Sequence, residues 1–535
     1  MIHQKHSSGQ SVALNPVDDW IGKLHRVLAA IVCVPAFSYA AALMTGALTV
    51  LGYAPFELFL LPIFTLAGLF SLVLHQTSRW RAALVAFCFG LGLFGAGISW
   101  IYVSLHVYGG MSVLLAAIAT IGFCGFLALF SALFGAVVWF CRDSGGLLRV
   151  LALSACWVVF EWLRGVMFTG FPWLAVGYSQ TPDSPLAGYA PSLGVYGVSL
   201  LLAASAGLLL ECATHQKAWK RWGIVLLFGI WTVGKGLQHV QWTFPAGPPF
   251  TATLLQGNIP QDKKWRAEEV AATLRTYRSL LQNSKGQLIV MPETALPLFA
   301  SELPAPYVSD LIAQAKEANA DLIVGVPERV TEYGETRYYN SAFAMGSSVA
   351  QIYRKQHLVP FGEFLPAKAL LGWVLGFLQI PLADMSPGSS TQPPLRVAGE
   401  TVAVNICFED VFGEEIIRAL PDATVLVNLS NLAWFGDSLA LPQHLQIAQM
   451  RAMETGRYML RATNTGATAI IDERGRVVKQ AEPHRTLALS GMVQGLTGAT
   501  PYVAGGNLPV LIFCGTGMLL ALGATACRRR TRTLF

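Results

Sequence analysis

Charged residues are scarce in this sequence. They make up 13% of its 535 residues, about half the share of an ordinary soluble domain. Hydrophobic residues reach 53% and the mean hydropathy is +0.49. That excludes a simple soluble protein and leaves an integral membrane protein with a sizeable polar part. The net charge of +6 does not form a nucleic-acid face, because the basic residues cluster in short loops and at Arg528, Arg529 and Arg530. No nucleic-acid partner is expected. There is no G-x-S-x-G elbow, no H-E-x-x-H pair and no Walker loop, so the common hydrolase, metalloprotease and nucleotide chemistries are unsupported. His357, His444 and His484 show no metal-ligand spacing, so neither a metal nor another cofactor is expected. Repeats and low-complexity stretches are missing too.

Cysteine is scarce where it would matter most. Of nine cysteines, only Cys407 lies in the polar-containing region from about Pro248 to Gly506. That region therefore has no internal disulfide and no thiolate metal cluster.

What is present begins with apolar runs of spanning length, near 28–48, 55–75, 82–104, 112–140, 148–168, 191–212 and 221–240, with one more near 508–527. The run at 112–140 is long enough for one tilted helix or two short ones. Loop charge alternates. Lys23 and Arg26, Arg79 and Arg81, Arg142 and Arg149, and Lys217, Lys220 and Arg221 mark basic loops. Leu51–Pro55, His106–Met111 and Gly170–Pro191 are nearly uncharged. Basic loops stay cytoplasmic. The pattern predicts seven spans, an exported polar domain and a last span, with both termini in the cytoplasm. The expected units are 1–241, a seven-helix membrane region; 242–506, a catalytic domain; and 507–535, a final helix with a basic tail. Glu161 and Arg164, near one helix end, are read as pairing at i,i+3.

The polar domain alternates strand and helix signals. Strands are expected at 252–256, 288–291, 322–326, 341–345, 351–354, 402–407, 425–429, 468–471, 477–479 and 487–493. Helices are expected at 267–282, 305–318, 413–420 and 441–461. This is an α/β domain with layered sheets. Thr401–Asp410, TVAVNICFED, reads as a buried strand ending in Cys407. Most cysteines in such strands are inert packing. Two other strands end in ionisable residues: Glu293 after QLIVMP and Lys355 after QIYR. A carboxylate can take a thiol proton, and an ammonium can stabilise a thiolate and then an oxyanion. Each residue alone also fits a solvated turn or surface charge. His357 and His444 are open alternatives as thiol partners.

Four stretches carry a resemblance: Met291–Pro297 (MPETALP), Tyr353–Glu363 (YRKQHLVPFGE), Ile406–Glu409 (ICFE) and Leu429–Gly436 (LSNLAWFG). They resemble the nitrilase superfamily. Such a domain between seven membrane helices and one more is similar to the apolipoprotein N-acyltransferase family. Gly170–Leu174 (GFPWL), Gly177–Gln180 (GYSQ), Gln256–Pro260 (QGNIP) and Lys264-Trp265 extend the likeness to nearly the whole chain. The resemblance implies an α-helical transmembrane bundle of about eight helices plus a nitrilase-like αββα sandwich. It implies a Glu293–Lys355–Cys407 triad of general base, oxyanion stabiliser and nucleophile, with Glu363, Trp265, Asn340, Phe408 and Glu409 in support. Phe408 replaces a tyrosine common in relatives, and Leu432 stands where some carry aspartate.

The implied reaction is ping-pong. Cys407 takes the sn-1 acyl chain of a phospholipid. The thioester then acylates the α-amino group of the diacylglyceryl-cysteine of an apolipoprotein. The implied partners are a phospholipid donor, that acceptor and the bilayer. The implied location is the bacterial inner membrane, with the catalytic domain on the periplasmic side. The alternative is a membrane-anchored carbon-nitrogen hydrolase, an amidase in which water takes the thioester. Phe364–Met385 is apolar but too broken by proline to span, and is read as an interfacial lid.

Overall fold

The computed structural model describes residues 35–214, 217–332, 334–366 and 384–533. The proposed lid at Phe364–Met385 lies mostly outside the described residues.

The membrane part is built from α1 (Pro35–Thr49), α2 (Leu61–Leu74), α3 (Arg79–Gly97), α4 (Val113–Val138), α5 (Leu147–Val166), α6 (Ala190–Thr214), α7 (Lys217–Leu237) and the late helix α11 (Leu508–Thr533). Among the described residues, six segments are long and apolar enough to cross a membrane: Pro35–Gly52, Arg79–Gly97, Val113–Cys141, Leu147–Thr169, Pro185–Ala213 and Leu508–Cys527. Helix α2 is shorter, at 14 residues. Helix α7 carries Lys217, Lys220, Arg221 and Lys235. The long run at 112–140 is one helix, started by Ser112, whose side chain accepts from the Leu115 N–H. The run at 82–104 ends early. Helix α3 stops at Gly97, and a short turn at Ile101–Val103 leads into a π-turn at Ser104–Tyr108.

Small residues let these helices approach. A Cβ on Gly46 would strike the Phe89 carbonyl of α3, and one on Gly92 would strike the Leu43 carbonyl of α1. Close backbone contact of this kind replaces the hydrophobic drive that lipid cannot supply. Glu161 and Arg164 do not pair as expected. Arg164 donates to the carbonyls of Phe171 and Trp173, and Glu161 accepts from Trp157 Nε1 and the Val176 N–H. The chain after α5 folds back through short 3-10 turns, and the Phe171 and Trp173 carbonyls and the Val176 N–H take these side chains as partners.

The polar part is a sandwich of two six-stranded sheets. The first contains β1 (Phe250–Gln256), β2 (Leu288–Val290), β3 (Asp321–Glu332), β4 (Glu335–Gly346), β5 (Gln351–Arg354) and β12 (Leu487–Val493), in the order β12-β1-β2-β3-β4-β5. The second contains β6 (Leu395–Val397), β7 (Glu400–Ile406), β8 (Val425–Ser430), β9 (Tyr458–Thr463), β10 (Ala469–Ile471) and β11 (Val477–Gln480), in the order β11-β10-β9-β8-β7-β6. At the centre of each sheet three strands run parallel: β1–β2–β3 and β7–β8–β9.

One apolar cluster fills the space between the sheets. It joins Leu254, Val290 and Ile323 to Val404, Val427 and Leu460. The outer face of the first sheet is covered by α8 (Ala267–Gln282) and α9 (Ala305–Glu317), through Leu274, Tyr277 and Leu311. The outer face of the second is covered by α10 (Ala440–Thr455). The layers are α, β, β, α, as expected. Helix α10 is buried on nearly every side, because a continuous core carries on through it into the membrane bundle. The expected helix at 441–461 is cut short. Gly456 sits at φ 61° as a left-handed cap, and the apolar run beyond it is the central strand β9.

Candidate active site

In both sheets the parallel strands deliver polar residues at their carboxyl ends, where open sheets leave room for ligands. Glu293 follows β2, Cys407 follows β7, Asn431 follows β8 and Asn464 follows β9. Lys355 follows β5 and is pinned by its own N–H, which donates to the Asn340 carbonyl at 2.8 Å.

Lys355 is 1% exposed. Its Nζ lies 3.7 Å from Glu293 Oε1 and 2.8 Å from Glu363 Oε2. Asn340 Nδ2 donates to Glu293 Oε1 at 2.7 Å and to Glu363 Oε1 at 3.0 Å. The Asn431 N–H donates to Glu293 Oε2 at 2.8 Å, and the Val359 N–H donates to Glu363 Oε2 at 2.8 Å. Two carboxylates therefore share one buried ammonium, and backbone and amide donors fix their orientation. Burial alone would lower the Lys355 pKa, but Glu363 and Glu293 outweigh it and hold the group well above its ordinary value. It is a fixed cation.

Cys407 is partly exposed. It takes a left-handed backbone, with φ 55°, which costs a non-glycine residue about 1–3 kcal/mol and recurs at functional sites. Thr294, next to Glu293, is similarly turned at φ 46°. Burial pushes the Cys407 thiol up, Glu293 adds to this and Lys355 opposes it. The resting group is a neutral thiol beside a carboxylate, which suits proton removal at the moment of attack.

Glu409 clamps the two strand ends. It accepts from the N–H groups of Ile406 (2.6 Å), Gln356 (2.6 Å) and His357 (3.1 Å), and from the Tyr353 hydroxyl at 3.0 Å. Burial raises it to about 7, against the pull of Lys355 and these N–H donors. Phe408 is buried and stacks on Phe171 of the membrane part, with ring centroids 6.1 Å apart. No hydroxyl is needed for that contact. Trp265 is half-buried, and its indole N–H is buried without an acceptor among the described residues.

All the expected site residues thus fall in one region, with Trp265 at its edge beside Lys264. Each of the two histidines has a carboxylate partner, and the His444 ring also bonds the Cys407 backbone. His357 bonds Glu415 at 3.0 Å. His444 bonds Asp410, which in turn accepts from Arg461 at 2.6 Å.

Sequence reasoning missed several residues. Lys264 is 1% exposed and donates to Thr294 Oγ1 at 2.6 Å and to the Glu293 carbonyl at 3.3 Å. Burial lowers it to about 8, although Glu293 and Cys407 pull it upward. Asn464 donates to Asn431 Oδ1 at 3.1 Å, and Asn431 donates to Gln261 Oε1 at 2.8 Å, joining the two sheets at their carboxyl ends. The only hint of Lys264 in the sequence was its place beside Trp265.

The site faces the bundle. Phe435 packs on Trp100 at 4.6 Å and Trp434 on Tyr108 at 6.1 Å. Gln443 of α10 accepts from Trp173 Nε1 at 2.8 Å and donates to the Gly97 carbonyl at 3.1 Å.

The double sheet that carries these strand ends matches, over residues 251–502, a family described as Carbon-nitrogen hydrolase. Residues 45–208 match a second family, Apolipoprotein N-acyltransferase N-terminal domain. Among curated relatives, the chain is 51% identical to the apolipoprotein N-acyltransferase of Nitrosomonas europaea, over 92% of this chain and 99% of that one. It is 46% identical to that of Methylococcus capsulatus, over 88% and 93%, and 43% identical to that of Chromobacterium violaceum, over 90% and 93%. The chain belongs to the apolipoprotein N-acyltransferase family.

Proposed function

We propose that the chain moves a fatty acyl group from the sn-1 position of a membrane phospholipid to the N-terminal amine of a diacylglyceryl-cysteine on an apolipoprotein. The observation that carries this reading is the seating of the thiol site on the membrane bundle, where Phe408 meets Phe171 and Phe435 meets Trp100. A site for small soluble amides has no use for that position.

In the proposed first step the Glu293 carboxylate takes the Sγ proton and the thiolate attacks the ester carbonyl carbon. The Lys355 ammonium stabilises the oxyanion. The C–O bond to glycerol breaks and the proton returns from Glu293 to the leaving alkoxide. In the second step the amine attacks the thioester carbonyl, Glu293 takes an amine proton, the C–S bond breaks and the thiol is restored. Glu363, Asn340 and Glu409 position these groups, Phe408 walls the site, and Trp265 borders the substrate. The proposed division is 1–241, 242–506 and 507–535, with the middle unit on the periplasmic side of the inner membrane, as the loop charges favour.

The test is a mass assay on a diacylated lipoprotein peptide with phospholipid vesicles. Added acyl mass on the peptide supports transfer. Free fatty acid with unchanged peptide would make the chain a hydrolase and overturn the reading. Labelling of Cys407 by an impermeant thiol reagent from the cytoplasmic side would overturn the orientation.

A further inference from the structure

A second cavity lies far from the thiol. It has a volume of about 400 Å³ and sits between the end of α7, the 182–191 loop and the edge of the second sheet. Tyr458 and Leu496 border it. Tyr458 is the first residue of β9 and pairs with Val425, which pairs with Val402 at the start of β7. The cavity is therefore at the amino ends of these strands, whereas Cys407 follows their carboxyl ends.

Its lining is polar and carries Lys235, Arg474 and Arg476 against Asp183 and Glu473. Glu473 is 3.5 Å from Arg474. Lys235 has only the Gln238 side chain, at 2.8 Å, and the Arg476 guanidinium has no ion pair among the described residues. Trp242 also lines the cavity, and its indole N–H is buried with no acceptor among the described residues. A buried donor without an acceptor beside two uncommitted cations describes a place for an anion.

The helix below indicates which anion. Ile224 (59% exposed) and Phe228 (72%) stand on α7 four residues apart, and Lys235 follows seven residues after Phe228. They share one face of the helix. That face is apolar for most of its length, as a lipid-facing side would be, and ends in a lysine at the cavity. Val240 and Phe244, just beyond the helix, are also exposed. An amphiphile with an anionic head fits both parts, its chains along α7 and its head in the cavity. We infer that this cavity binds the phosphate headgroup of an anionic phospholipid, separately from any acyl donor at Cys407. A volume of this size is within the range of ordinary ligand pockets.

The inference rests on this cavity and the α7 face beside it, and not on the proposed chemistry. The test uses the full-length protein in detergent micelles, with lipid retention read by native mass spectrometry after incubation with phosphatidylglycerol or phosphatidylcholine. The expected result is preferential retention of phosphatidylglycerol, unaffected by inorganic phosphate or glycerol 3-phosphate. A basic residue near an anionic lipid contributes about fivefold in affinity. Lys235→Gln with Arg476→Gln is expected to weaken one retained lipid equivalent by about 25-fold while Cys407 still forms its acyl adduct. Glu473→Gln is expected to strengthen it. Cys407→Ala is expected to keep the lipid, which separates this site from the catalytic reading. Equal retention of the two lipids, or retention unchanged in the double variant, would overturn the inference. Displacement by free phosphate would also overturn it, by making the cavity a small-anion site.

Discussion

Glu409→Gln tests how the thiol and the ammonium are held together. The two oxygens of Glu409 accept from three backbone N–H groups on two segments, Ile406 on one side and Gln356 and His357 on the other. Glutamine has one acceptor oxygen and one NH2. Whichever way it turns, at least one buried N–H faces another donor. A buried donor left unmatched costs about 1–3 kcal/mol, and a lost bond to a charged group about 1.5–3 kcal/mol. Taking about 3 kcal/mol for the pair, thioester formation slows roughly 150-fold. The assay is the rate of the hydroxylamine-sensitive acyl adduct on Cys407, followed by intact mass.

The pH dependence gives a second readout. Glu409 is raised from 4.5 to about 7, so it gains its proton as pH falls through 7 and loses acceptor capacity there. Wild type is expected to show an acid limb near pH 7 that the variant lacks. The stability sign is opposite. The folded state binds more protons than the unfolded state between 4.5 and 7, so Glu409's contribution to stability declines as pH rises across that window. An E409Q protein within twofold of wild type at pH 8, or one that keeps the acid limb, would refute the clamp.

Cys407→Ser is expected to abolish the hydroxylamine-sensitive adduct while the protein still inserts in membranes; an adduct of that sensitivity in the variant would sink covalent thioester chemistry. Lys264 falls from 10.5 to about 8 on folding. The folded chain then binds fewer protons than the unfolded chain between these values, and stability rises with pH across the window by about 3 kcal/mol. The thermal midpoint of wild type, measured against Lys264→Met from pH 7.5 to 10.5, should climb; a flat difference would refute this. Gly325→Ala would bring a Cβ to 2.8 Å from Glu293 Cα and 2.8 Å from the Thr294 nitrogen. Both are backbone atoms, so Glu293, the proposed general base, must shift. Adduct formation is expected to fall at least about tenfold, consistent with overpacking costs of about 1–3 kcal/mol, and an unaltered rate would count against a tightly placed Glu293.

Much of the sandwich was legible because its strands are short apolar runs between turns. Strands β5 and β12 and helix α8 have the expected bounds. The misreading at 441–461 came from carrying a helical pattern past Gly456, whose left-handed cap separates helix from strand. Strand β6 has only three residues at a sheet edge, too few to show a period. The site was legible where strand ends carry ionisable residues, as at Glu293, Lys355 and Cys407. Lys264 was not, because nothing local distinguishes a buried lysine from a surface one. The network of His444, Asp410 and Arg461 joins residues far apart in the chain, and only the fold brings them together. Glu161 and Arg164 were paired by spacing, but the backbone behind α5 offered better partners.

Helix α10 has a practical corollary. In a free-standing sandwich the outer helix would turn one side to water. Here that side holds Gln443 against Trp173, Gln446 against the Ala54 N–H and the Thr181 carbonyl, and Glu454 against the Val195 N–H. The 242–506 unit cut free of the bundle would bare Met450, which meets Thr181, and these orphaned polar groups together. The excised unit is expected to be recovered as aggregate, and the whole chain to melt as one body with no separate transition for its polar half.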